Sequence, residues 1–417
     1  MWLRGLSPED FRRFIPSSLA SYLLFTSYEC LRSPSNVLFQ SAFGPENLPA
    51  AMTALPIVLV GLIALYNWLL SHYGPRGTLR RLTLLSSALL LLCAVGTFRN
   101  SPLAICMLFI WGQSYVVILG EQYWSFYNSA FTPETGKKTH GVLAGIMSLG
   151  SFTGGMMVSF LSPVIGATWL PVIGALLLIP GLVLIERAYA RTPELAKIPE
   201  IPKEDAQTSL QLFRTTPLLV FLALVVLATQ MLSTTFGLAF QTLLHHSMPQ
   251  IDVQAAYSGK FYAAVSVLSV FFQFIVTPIA LSWTSPQVIQ GILPFVHLGT
   301  ASVLFFHPTV MAATIAFAIF KSLDYSLFRA SKEILYMPLS FDARYRAKEW
   351  IDVFGYRIGK GLTSGLLWAI QRLYWIGPPI YSGLSIGAVL LWIGLNRRLL
   401  NTSSSPKSYT TPNPAIY

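Results

Sequence analysis

The 417 residues are 53% hydrophobic and only 11% charged, with a formal net charge of +11 and a mean hydropathy of +0.58. A water-soluble particle would have to bury the apolar runs at 56–70, 82–95, 218–227 and 382–395 together, and too few ions remain to cover its surface. Apolar runs of about twenty residues recur along the chain, the length of helix that crosses a ~30 Å hydrocarbon core. The composition therefore predicts an all-α polytopic membrane protein.

In chain order, "MWLRGLSPEDFRRF" carries Glu9 and Asp10 among its basic residues, and no small-residue cleavage site follows. It leads into a first membrane helix and not a removable signal. Apolar runs read against turn signals place helices near 14–33, 49–72, 82–98, 103–128, 142–162, 167–187, 217–243, 256–281, 286–305, 309–329, 351–371 and 376–396. Those twelve transmembrane segments divide at the longest polar connection. The expected organisation is an N-terminal six-helix bundle (1–186), a cytoplasmic linker (187–216), a C-terminal six-helix bundle (217–396) and a cytoplasmic tail (397–417).

With the N-terminus inside, twenty of the 28 Lys and Arg fall in cytoplasmic segments, and Arg99 and Arg372 alone fall outside. That asymmetry predicts both termini in the cytoplasm and accounts for most of the positive charge without nucleic acid as a partner. Lys332 is counted in the cytoplasmic loop that runs to Asp352.

The halves echo one another. "GEQYWSFYNSAF", "TPETGKKTH" and "GVLAGIMSLGSFTGG" follow in the first, and "LDYSLFRAS", a longer basic loop and "GYRIGKGLTSG" in the second. Gly141/Gly145, Gly150/Gly154, Gly355/Gly359 and Gly361/Gly365 are each four apart, a spacing that lets helices approach closely in lipid. Two bundles from an internal repeat, with a midplane cavity between them, describe a major facilitator-like architecture. The loop "HYGPRGTLRR" is similar to a Gly- and Arg-bearing loop of that superfamily.

Six cations lie at membrane depth: Arg32, Lys260, Lys321, Arg329, Arg357 and Lys360, against Glu29, Glu121 and Asp324. An ion at a helix centre costs about 2.5–3.5 kcal/mol or more, so such groups pair, face a wet cavity or bind a charged ligand. Glu29/Arg32 and Lys321/Asp324 are three apart and can pair on one face, and Arg329 can snorkel to the interface. Arg357 and Lys360 are both positive on one face, with Ser364 a turn along, and repel unless an anion or a distant carboxylate sits between them; an anion-binding role is the favoured expectation. Glu121, Trp124 and Asn128 share a face as a cavity wall would, and the aromatic residues around them suit core packing, an interfacial belt or stacking on a base. Glu121 has no basic residue within four positions and reads as a gate partner or proton-coupling site.

Cys30, Cys93 and Cys106 sit in or beside apolar runs, and the six histidines form no metal pattern. With no GxxxxGK[ST] loop, no GxSxG and no carboxylate pair near a histidine, neither an enzyme nor internal ATP hydrolysis is indicated, and no cofactor is implied.

One stretch is more specific. Tyr325, Leu327, Phe328, Lys332, Glu333, Tyr336, Pro338, Leu339, Lys348, Ile351, Asp352, Arg357, Gly359 and Lys360 resemble the ATP/ADP antiporters, the nucleotide transporter family of intracellular bacteria and plastids. "YECLR" at 28–32 is a second patch, and "GEQYWSFYNSAF" a weaker one. The sequence departs from the family pattern at Ser35-Asn36, where a Lys-Asp pair is usual, and at Asp324 and Arg329, where the charges are reversed.

The resemblance implies twelve helices and nucleotide exchange across a membrane, with Arg32, Glu121, Arg357 and Lys360 as candidate binding residues. Residues and resemblance together predict a secondary active transporter that moves nucleotides or a related phosphorylated anion by alternating access in a bacterial inner membrane. Arg32, Glu121, Trp124, Asn128, Asp324, Arg329, Arg357 and Lys360 are its candidate substrate-binding residues. Its expected partners are the lipid bilayer and a small anionic substrate. The alternatives are proton-coupled transport of another organic anion and a non-transporting membrane sensor or assembly partner.

Overall fold

The computed structural model describes residues 7–192, 213, 216–336, 351, 355–373 and 378–403, and almost all of them are helical. Most of the linker at 187–216, the loop cations Arg344, Arg346 and Lys348, and the last part of the tail lie outside the described residues.

Helix α1 (Pro8–Phe43) starts where Ser7 accepts a hydrogen bond from the Asp10 amide at 3.0 Å, with Pro8 in the first turn. Its 36 residues span roughly 54 Å at 1.5 Å per residue, well beyond the hydrocarbon thickness. Serines and threonines line its buried faces: Ser27 donates to the Gly174 carbonyl at 2.7 Å, and Thr26 to the Gly150 carbonyl at 3.1 Å. Hydroxyl bonds of this kind tie helices together, and α1 packs against α3 (Pro102–Ala130), α4 (Pro133–Ile165) and α5 (Leu170–Ala190).

Helix α2 (Leu48–Thr97) has 50 residues and turns at Gly74, where φ is 65°. Glycine alone adopts that conformation without strain, and Pro75 starts the second arm. The remaining helices are α6 (Pro217–Ser247), α7 (Ile251–Trp283), α8 (Pro286–Phe306), α9 (Val310–Tyr336), α10 (Tyr356–Leu373) and α11 (Pro378–Ser403). Each of α7 and α9 contains a π-helical turn, at Phe272–Val276 and Asp324–Phe328.

Among the described residues nine helices are long and apolar enough to cross a membrane. α1 and α10 are not among them, because hydroxyls dilute the first and three cations, Arg357, Lys360 and Arg372, interrupt the second. Arg357 and Lys360 are partly buried, whereas Arg372 is exposed.

Packing follows the order of the chain. α2 contacts α3 and α5, while α6 contacts α9, α10 and α11, and α8 contacts α9 and α11. Between the earlier and later helices the seams are α4 on α7, α2 on α10, and α1 on α7. The α4–α7 seam closes on two glycines: a Cβ at Gly155 would meet the Gly259 carbonyl at 2.7 Å, and one at Gly259 would meet the Gly155 carbonyl at 2.7 Å. On the α2–α10 seam a Cβ at Gly361 would stand 2.6 Å from the Pro56 ring.

The four-residue glycine spacing finds part of this. Gly154 lies on the Thr26 backbone of α1, Gly359 on Gln230 of α6, and Gly365 on Thr53 of α2. Gly145 has nothing within 4 Å and makes no helix contact. Gly155 and Gly259, where backbone meets backbone between the halves, belong to no pair singled out by spacing.

Polar bonds reinforce one end of the seam, near the turns at 44–47, 166–169 and 248–250. Gln40 donates to Gln241 at 2.9 Å, the Ala167 amide to the Asp252 carboxylate at 2.6 Å, and Ser162 to the Asp252 carbonyl at 2.9 Å. These bonds tie the two sets of helices there, and a cavity occupies the space between the helices.

Substitution of Gly155 or Gly259 by leucine forces two helices apart. Each change should lower the unfolding temperature of the purified, detergent-solubilised protein, at an overpacking cost of about 1–3 kcal/mol. Gly145→Ala, in open space, should leave that temperature unchanged.

Candidate functional site

Arg32 stands where the helices meet. Helical spacing puts it one turn after Glu29, and its Nη2 donates to both Glu29 oxygens, at 2.8 and 2.6 Å. The same guanidinium lies 3.3 Å over the Tyr262 ring of α7 and 5.0 Å from that of Tyr28. The pairing expected within α1 is therefore made, and the arginine also stacks across the seam.

Helix α9 supplies a cationic face. Lys321, Tyr325, Arg329 and Lys332 follow at spacings of four, four and three, and all four line a cavity of about 730 Å³. Lys321 donates from Nζ to Ser233 on α6 at 3.0 Å, and no carboxylate stands within ion-pair distance of it among the described residues. Its expected partner Asp324 is buried and lines neither cavity lobe, and Asp324 Oδ1 has no hydrogen-bond partner. The helix is regular between the two positions, since the Asp324 amide bonds back to the Phe320 and Lys321 carbonyls, and the lysine takes Ser233 on the neighbouring helix instead.

Lys332 is a correction to the sequence reading. The α9 helix continues through it to Tyr336, and Lys332 is only 2% exposed, on the cavity wall rather than in a loop.

From α10, Arg357 and Lys360 reach the same cavity, with no carboxylate within ion-pair distance among the described residues. Glu121 of α3 lines the wall and is the carboxylate whose field reaches Arg357. It is exposed to the cavity and not buried in apolar surroundings. Lys321, Arg357 and Asp324 all act electrostatically on Lys360, so the α9 and α10 cations form one cluster.

A second cavity of about 540 Å³ shares Tyr28, Arg32, Tyr262, Lys321, Tyr325 and Arg329 with the first. Its remaining wall, between α4 and α7, is nearly uncharged: Trp124, His140, Ser148, Ser151, Ser269 and Gln273 are among its residues. Trp124 stacks on His140 with centroids 5.7 Å apart. Asn128, expected beside Trp124, lines neither cavity and instead hydrogen-bonds His140 Nε2 at 3.1 Å. One helix face is thus divided, with Glu121 in the larger lobe, Trp124 in the smaller and Asn128 outside both.

Five of the six cations expected at membrane depth meet in this space; Lys260 is exposed and lines neither lobe. With Lys332 the larger lobe holds six cations, against Glu121 and Glu333. Both volumes fall in the range of small-molecule sites. Low-dielectric walls strengthen the potential of such a cluster, so the cavity attracts anions, and paired N–H groups of arginine suit phosphate or carboxylate oxygens.

Tyr28 and Tyr325 lie one turn from Arg32 and Lys321 and are within reach of helical spacing. Tyr262 and Ser233 carry no such signal, since only packing brings them to the site.

The model of the TLC ATP/ADP transporter family matches residues 178–400. Among similar proteins, ADP,ATP carrier protein 3 of Rickettsia bellii (strain RML369-C) is 33% identical over 125 residues, covering 30% of this chain and 24% of that protein. ADP,ATP carrier protein 1 of Chlamydia trachomatis (serovar D) is 24% identical over 254 residues, 54% of this chain and 47% of that protein. The chain thus covers less than half the length of either relative.

Among solved structures, the nucleoside transporter NupG superposes with a TM-score of 0.65 at 13% identity, over 94% of this chain and 99% of NupG. The inward-open xylose transporter XylE from E. coli gives 0.57 at 13% identity, over 92% and 95%. That likeness shows that the chain shares the fold of these two proteins. The family match spans more than half of the chain and takes in α6 to α10, which carry Tyr262, Lys321, Arg329, Arg357 and Lys360; the chain belongs to the TLC ATP/ADP transporter family.

Proposed function

We propose that this protein is a secondary active transporter that exchanges nucleotides of the ATP/ADP type, or closely related phosphorylated anions, by alternating access. The observation that carries the reading is the excess of cations in one cavity between early and late helices. Cations in excess are costly at membrane depth, and a polyanionic substrate would compensate them. The names of the relatives, ADP,ATP carriers, favour nucleotides over other anions.

The architecture we infer is twelve transmembrane helices in two six-helix bundles, 1–186 and 217–396, joined by the linker at 187–216. The segment Pro45–Thr97, with 53 residues and a turn at Gly74, is long enough to supply two crossings. The positive-inside count supports cytoplasmic termini, and the bacterial membrane we infer is the inner one. In that orientation the hydrogen-bonded end of the seam, at Gln40, Gln241 and Asp252, faces outward.

In such a cycle Arg357, Lys360, Lys321 and Arg32 hold the phosphates, and closure follows where the substrate ties α1, α9 and α10 together. Binding energy spent on closing the seam makes reorientation depend on cargo, which is the physical basis of exchange.

Counterflow tests the reading. Proteoliposomes loaded with unlabelled ADP should accumulate labelled ATP, while unloaded vesicles should not; no uptake across a panel of nucleotides would refute nucleotide exchange. Uptake driven by a pH step and lost in Glu121→Gln would point to proton-coupled anion transport instead.

Arg357→Ala and Lys360→Ala should each weaken nucleotide binding about tenfold or more, roughly 1.4 kcal/mol, as read by ligand-induced thermal shifts. Asn128→Ala, outside both lobes, should stay within about twofold of the parent on that assay.

A further inference from the structure

Arg32 is the one arginine of α1 that faces both lobes, and its fork is already occupied. Nη2 donates to both oxygens of Glu29, and Nε is buried without a hydrogen-bond partner. Glu29 is 3% exposed and lines the smaller lobe, while the arginine side chain is 16% exposed. The carboxylate lies behind the guanidinium, and the guanidinium faces the cavity. Gly154 of α4 backs the pair so closely that a Cβ there would stand 2.8 Å from the Glu29 Cβ.

A phosphate is gripped most strongly by two parallel N–H groups of one guanidinium. For Arg32 that grip requires Nη2, which Glu29 holds. Were Glu29 to remain ionised after losing Arg32, a nearly buried anion would stand unpaired beside an incoming polyanion. Breaking a buried pair in that way is strongly unfavourable, and neutralisation by a proton relieves it.

The other groups in reach offer no substitute cation. The field of Glu29 reaches Tyr28 and Cys30 on α1, Tyr115 on α3 and Tyr262 on α7, none of which is a cation. His140 of α4 and Lys321 and Arg329 of α9 share its cavity lobe. α5 meets this part of α1 through Gly174, against Ser27 and Leu31. Arg32 is the only ion-pair partner of Glu29 among the described residues.

We propose that Glu29 is an internal competitor for the anion site: it holds Arg32 in the empty transporter, yields it to a phosphate of the substrate, and takes up one proton from the cavity water as it does so. No covalent bond changes apart from the O–H formed on Glu29, and the proton returns to water when the substrate leaves and the pair re-forms. The proposal rests on the cavity being an anion site, and it makes anion binding and proton uptake a single event. It also gives the empty state a defined occupant, so the arginine is never left bare at membrane depth.

The test compares the purified full chain with Glu29→Gln, using ADP and inorganic pyrophosphate as probes between pH 6 and pH 8. Glutamine keeps the shape and removes the competing charge, so the variant should bind both probes at least tenfold more tightly at pH 8. Acid neutralises Glu29 in the parent and removes its competition, so the gap should narrow toward pH 6. The ratio of the two proteins at each pH cancels the titration of the phosphates themselves. Calorimetry in two buffers of different ionisation enthalpy supplies a second readout that needs no variant. The parent should take up about one proton per ADP beyond what the titration of ADP accounts for.

A variant that binds no more tightly at any pH, or a parent with no extra proton uptake, would overturn the role of Glu29 and leave the anion site standing. A parent that binds neither probe would overturn the anion site and this proposal with it.

Discussion

Positive charge in a hydrocarbon environment is the constraint on which the rest of this structure depends. Arg32, Lys321, Arg329, Arg357 and Lys360 lie on helices that lipid would otherwise surround, and desolvating them singly would cost several kcal/mol each. Helix packing gathers them around a space that water and an anion can enter. This requirement accounts for a central α1 rich in hydroxyls, for the inward faces of α9 and α10, and for the continuation of α9 through Lys332.

The seam between early and late helices serves the same end. Close contact at Gly155 and Gly259, and at Pro56 and Gly361, brings backbones together without large side chains to interlock. Crossings of this kind can separate without leaving large apolar cavities. At one end of the seam the polar ties among the described residues are few: Gln40 with Gln241, and Asp252 with the Ala167 amide and Ser162. A seam held by a few hydrogen bonds and flat glycine surfaces is suited to two arrangements of similar energy, as alternating access demands.

Much of the site is legible in the sequence because membrane helices make charge conspicuous. Arg32, Glu121, Arg329, Arg357 and Lys360 stand out as ions in apolar runs, and all five line the cavity. Asn128 is drawn in by a shared helix face, but a face is wide enough to serve two lobes and a histidine contact, and Asn128 serves the last. Asp324 is assigned by three-residue spacing, which allows a pair on one helix but does not exclude a competing partner on another, and Lys321 bonds Ser233 of α6. Lys332 falls to the loop because composition alone does not say how far a helix runs past its last apolar turn.

What the sequence by itself determined is the class of protein, its orientation signal and its inventory of membrane ions, since all three follow from the local cost of placing residues in hydrocarbon. The Glu29–Arg32 pair also belongs there, because three-residue spacing on one helix is a local fact. Tertiary structure decided which ions share a space, that Arg32 stacks on Tyr262 of a distant helix, and that Lys321 bonds Ser233 rather than Asp324. These depend on how helices rotate and cross, and rotation is set by summed contacts between segments more than two hundred residues apart in the case of Arg32 and Tyr262. Local periodicity carries no record of that sum.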